Sequence, residues 1–133
     1  MLSINNTYSC NLSFSQEQEN LFMELTGDNN PVHWDNNAAL KAGFTQPIVH
    51  GMLAASMIGK VLGMDFPGNG TINIERNFTF IQPLYIGESY MLFLKVFEID
   101  KDTHTGKIKF CLKNANKKTC LAGSTLVKNN NQF

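Results

Sequence analysis

Charge is scarce in this sequence. Only 17% of its 133 residues are Asp, Glu, Lys or Arg, and the two signs cancel at eleven each. The Lys and Arg residues are scattered, so the chain lacks an electrostatic footprint for a nucleic-acid backbone, and no nucleic-acid partner is expected. Cysteine is scarce too. Cys10, Cys111 and Cys120 are odd in number and far apart, with no CxxC pair, which argues against a disulfide framework and against a zinc site. A reducing compartment is the default. No apolar run approaches the roughly 18 residues that a bilayer span needs. Met1 to Thr7 has neither a basic start nor an apolar stretch of signal length. A soluble, cytoplasmic protein without membrane insertion is the expectation.

What is present reads as one domain over residues 1–133, long enough to bury a real core, with no repeat, low-complexity tract or linker. Tyr8, Cys10, Leu12 and Phe14 alternate with polar residues, the period of a half-buried strand. Ser15 with Gln18 three places on forms a capping box that opens a helix over Gln16 to Leu25. Phe22, Leu25 and Leu21 are expected on its inner side, and Gly27 is the expected stop. Asp35 or Asn36 can cap a short helix from Asn37 to Ala42, ended by Gly43. From Met52 to Leu62 the chain is apolar nearly all round, with Lys60 its one charge, which predicts a helix buried on most sides. Beyond Gly70 the pattern is sheet. Ile72, Ile74, Arg76, Phe78 and Phe80 should share one face, and further strands are expected over Tyr90 to Ile99, Lys107 to Asn114 and Thr119 to Lys128. A long buried helix followed by antiparallel strands is an α+β pattern in which the sheet must cover the helix.

The centre of the chain is Thr26-Gly27-Asp28-Asn29-Asn30-Pro31-Val32-His33-Trp34-Asp35. A carboxylate and an imidazole five positions apart lie between a glycine that opens special backbone conformations and a proline that stiffens the loop. Further on, Pro47-Ile48-Val49-His50-Gly51-Met52-Leu53 puts a glycine amide at the N-terminus of the buried helix, where unpaired N–H groups face outward.

These residues resemble a known family. Gly27-Asp28, Asn30-Pro31, His33, Asp35, Ala39, Gly43-Phe44, Pro47-Ile48 and His50-Gly51-Met52-Leu53 are similar to the signature of the MaoC-like (R)-specific enoyl-CoA hydratases. The likeness continues more loosely through Phe78, Phe80, Pro83, Gly87 and Glu88. The resemblance implies the hot-dog fold, a sheet wrapped around a long helix, and a homodimer joined across sheet edges. It also implies reversible hydration of a (2E)-enoyl-CoA to an (R)-3-hydroxyacyl-CoA, with no cofactor beyond the coenzyme A thioester that is the substrate. By the resemblance, Asp28 and His33 hold the water and the Gly51 amide faces the thioester oxygen.

Four further residues keep two readings each. Asn30 braces its own loop or touches substrate. His50 joins the site or holds the loop against the helix start. Ser56 lines the acyl pocket or satisfies a backbone carbonyl, and Arg76 reaches the phosphates of coenzyme A or snorkels to water. No metal is expected, because Asp28 and His33 alone are too few ligands and His104 lies in a distant hairpin. Three rival functions remain: dehydration of 3-hydroxyacyl groups on acyl carrier protein, thioester hydrolysis, and non-catalytic acyl-CoA binding.

Overall fold

The alternation at the start of the chain does form a strand, β1 (Thr7–Ser13), and Ser15 caps the helix that follows, α1 (Gln16–Thr26). Both halves of the capping box are made: Ser15 Oγ accepts from the Gln18 amide, and the Gln18 side chain accepts from the Ser15 amide. Gly27 ends α1 at φ 73°, a left-handed conformation that a residue with a Cβ adopts only at a cost. A single 3-10 turn (Pro31–His33) leads to α2 (Asn36–Lys41), capped by Asp35, and then to α3 (Gly51–Met64). Four strands complete the chain: β2 (Ile72–Phe80), β3 (Ser89–Asp100), β4 (Thr105–Lys113) and β5 (Thr119–Lys128). The computed structural model describes residues 1–133.

All pairings are antiparallel, and the five strands lie in the order β1-β3-β4-β5-β2, so β1 and β2 are the two edges. One face of this sheet packs on α3. Leu53, Ala54, Ile58, Val61 and Leu62 of the helix share a single buried cluster with Leu92, Leu94, Val96, Ile108, Phe110, Leu112 and Leu121 of the strands. None of the helices is long and apolar enough to cross a membrane.

Three expectations change. In α1, Leu25 is 83% exposed and Leu21 is exposed as well, while Glu19 is fully buried. The helix turns a stripe through Glu19 and Phe22 inward, and the reason lies outside the helix, in what Glu19 binds. The helix α3 is buried on one side only, since Met52, Ser56 and Lys60, spaced one turn apart, form an exposed stripe. In β2, a bulge between Asn73 and Glu75 breaks the alternation. Ile72 and Ile74 lie outside at 62% and 49% exposure, whereas Arg76 and Phe80 approach α3 at Gly59 and Gly51.

Candidate active site

The loop that leaves α1 is tied turn by turn by its own side chains. Thr26 Oγ1 donates to the Phe22 carbonyl at 2.7 Å and accepts from the Asp28 amide at 3.1 Å. Asp28 Oδ1 accepts from the Asn30 amide, and Asn30 Oδ1 accepts from the Val32 amide. The Trp34 indole donates to the Asn29 carbonyl. Loop and helix entry are joined where the Ile48 amide donates to the Val32 carbonyl. The Val49 amide in turn donates to Leu84, fixing the entry against the segment after β2. That segment is itself held by Tyr90, whose hydroxyl accepts from the Tyr85 amide at 2.8 Å; burial pushes this phenol up to about 12.

These ties bring Asp28, His33, His50 and Gly51 to one cleft of about 330 Å³, closed by Ile48, Val49, Met52, Phe80, Gln82, Pro83 and Leu84. His33 Nδ1 lies 2.8 Å from the Ile48 carbonyl. A carbonyl only accepts, so Nδ1 carries the hydrogen, and Nε2 of the neutral ring keeps its lone pair. The Asp28 carboxylate is half exposed, with Oδ2 3.6 Å from His50 Nε2. The Gly51 and Met52 amides have no backbone acceptor, whereas Leu53 and Ala54 already donate to the His50 carbonyl, and the helix dipole adds partial positive charge at this end. Gly51 is closely covered, because a Cβ on it would stand 2.6 Å from Phe80 Cε1.

Beneath the cleft lies the group that the sequence did not announce. His50, 2% exposed, and Glu19, fully buried, are paired at 2.5 Å between Nδ1 and Oε2. Glu19 Oε1 also accepts the His50 backbone N–H at 2.7 Å. His50 Nε2 meets the Asp28 carbonyl at 3.1 Å, and the ring stacks on His33 with centroids 3.5 Å apart. The available signal for Glu19 was its place three residues before Phe22, which packs on the His50 ring with centroids 5.0 Å apart.

Of the seven candidate residues, Asp28, His33, His50 and Gly51 line the cleft and the other three do not. Asn30 is used in the loop turn described above. Ser56 donates to the Met52 carbonyl at 2.8 Å on the exposed side of α3. Arg76 lies against α3 at Gly59 and donates from Nε to Thr125 Oγ1 at 3.2 Å, with burial lowering its guanidinium from the usual range. Asn30 Oδ1, Ser56 Oγ and Arg76 Nε each have a backbone or hydroxyl partner within the chain. His50 contributes a ring to the wall, but both its nitrogens are already bonded within the chain. Glu19, His33 and His50 offer atoms within 4.8 Å of one another, a spacing open to a metal ion. Three of the four ring nitrogens already face an oxygen of the chain, so a metal would have to break those bonds.

A helix enclosed on one side by a curled antiparallel sheet, with an acid, an imidazole and a helix-terminal amide at its entry, defines a hot-dog domain with a polar cleft. Residues 4–117 match the family described as "MaoC like domain", and the chain belongs to that family of hydratases and dehydratases. Among curated proteins it is 32% identical over 113 residues to the mitochondrial 3-hydroxyacyl-[acyl-carrier-protein] dehydratase of Arabidopsis thaliana, covering 83% of this chain and 67% of that protein. It is 36% identical over 81 residues to the (R)-specific enoyl-CoA hydratase of Aeromonas caviae, covering 61% and 60% of the two chains. Among solved structures, an (R)-hydratase from A. caviae superimposes with a TM-score of 0.89 at 26% identity, over 96% of this chain and 97% of that one. The unliganded R-hydratase of Pseudomonas aeruginosa gives 0.87 at 26% identity, over 96% and 82%.

Proposed function

We propose that this chain is an (R)-specific enoyl-CoA hydratase, acting reversibly on a (2E)-enoyl-CoA and working as a homodimer without a metal or added cofactor. One observation carries the reading: Asp28, His33 and Gly51, from a loop and a helix end, line the same cleft. A water held between the Asp28 carboxylate and His33 Nε2 attacks C3 of the enoyl chain. The pair takes a proton from that water and a proton is returned to C2, so the net change is addition of H and OH. Two positioned acid/base groups on one water account for a rate gain on the order of 10² to 10⁴ per group. Negative charge gathers on the thioester oxygen during attack, and the Gly51 N–H with the α3 dipole behind it stabilises that charge.

The relatives favour two carriers. Similarity to the A. caviae hydratase supports coenzyme A, and the longer match to the A. thaliana dehydratase supports acyl carrier protein as a second reading. Crotonyl-CoA and crotonyl-acyl carrier protein, offered in parallel, separate them. The expected result is loss of enoyl absorbance with crotonyl-CoA, formation of the (R)-3-hydroxy product, and a drop of about 10² or more in kcat for Asp28→Asn. Turnover confined to the carrier-protein substrate would favour the second reading. Release of free thiol without hydration would point to hydrolysis, and binding without turnover to a non-catalytic role.

A further inference from the structure

A carboxylate with no solvent exposure needs a reason to be where it is, because burying an unpaired charge is costly. Both Glu19 oxygens are given to one residue, Oε1 to the His50 backbone N–H and Oε2 to Nδ1. The other ring nitrogen, Nε2, faces only acceptors, the Asp28 carbonyl at 3.1 Å and its carboxylate Oδ2 at 3.6 Å. Neither oxygen can donate unless it is protonated, so Nε2 carries hydrogen. Nδ1 then decides the charge, and two carboxylates, Glu19 and Asp28, flank the ring. Among the residues that line the cleft or pack on His50, the titratable ones are Glu19 from α1 and Asp28 and His33 from the loop; Phe22, Gly51, Phe80 and Leu84 bring no charge.

We propose that Glu19 holds His50 as a doubly protonated imidazolium beneath Asp28 and His33, and is a positioning residue for that pair. The cation fixes the Asp28 backbone from below and sets an opposite charge beside its carboxylate. Its ring also makes the floor on which His33 stacks, so that His33 Nε2 is presented to the cleft. The catalytic part of this inference rests on the hydratase reading. The protonation of His50 does not.

Two measurements keep the two apart. Nitrogen-15 spectra of the histidine rings at neutral pH should show both His50 nitrogens protonated in the wild type. In Glu19→Gln, whose amide can donate to Nδ1 in the same space, one nitrogen should become unprotonated. An unprotonated His50 nitrogen in the wild type overturns the proposal, whatever the enzyme assays give. For catalysis, Glu19→Gln should lower kcat on crotonyl-CoA about tenfold or more with KM within about twofold, the pattern of an interaction that serves the transition state. An unchanged kcat in a folded Glu19→Gln protein would leave Glu19 a purely structural residue and overturn the positioning role. If the wild type hydrates neither crotonyl thioester, the functional reading falls, and the ring spectra still decide the charge of His50.

Discussion

A methyl group added at Gly51 would meet the Phe80 ring, 2.6 Å from Cε1, while leaving the backbone N–H in place. The substitution therefore separates two roles of the residue, donor and close neighbour. Gly51→Ala is expected to fold and to lose roughly tenfold to 10²-fold in kcat/KM, because a displacement near 1 Å at a reacting centre has that scale. Phe80→Leu in the same chain should restore part of the loss. No recovery in the double variant, measured by steady-state kinetics, would show that the ring is not the obstacle. Asp28, His33 and Gly51 were legible in the sequence because chain-local features mark them: a glycine stop, a proline, and a helix start. Glu19 was not, since its partner lies 31 positions away and a helix alone does not say which of its stripes meets the core. The stripe Leu21/Leu25 looked inward on hydrophobicity, and the paired carboxylate prevailed.

Among the elements, the strands show where alternation is a sound guide and where it fails. The limits of β5 agree with the expected Thr119 to Lys128, because its tight turn and its pairing to β4 are both written locally. The β2 pattern fails at its start, because a bulge adds a residue on one side and turns Ile72 and Ile74 outward, which single-strand periodicity does not encode. Gly123 in β5 lies between Phe78 of β2 and Phe110 of β4, whose rings meet across it at 5.4 Å. A Cβ there would run into the Asn77 backbone carbonyl and the Phe110 ring. Gly123→Ala should cost about 3 kcal/mol of stability, the upper part of the usual overpacking range. Urea unfolding that gives a loss under about 1 kcal/mol would mean that the sheet can shift there.

Across the whole molecule, the wrapped helix was readable as a buried apolar segment, but its exposed stripe was not, because composition alone does not reveal which side meets a sheet. That stripe begins at Met52, 57% exposed, and the free edge strand β2 carries exposed Ile72, Ile74 and Phe80. An edge with unpaired backbone groups and apolar side chains is open to pairing. For the homodimer proposed above, sedimentation should give twice the 14.9 kDa chain mass at micromolar concentration. Ile74→Lys should shift the protein toward the monomer. Sedimentation of the wild type as a monomer would remove the dimer from the proposal.

Central to the account is that Asp28 and His33 act on one water. A double-variant cycle on crotonyl-CoA tests this most directly, comparing Asp28→Asn, His33→Gln and the two together in kcat/KM. Groups that work as a unit give losses that do not add, so the double variant should be within about threefold of the slower single one. Losses that multiply in full would contradict the shared water, and with it the hydratase proposed for this cleft.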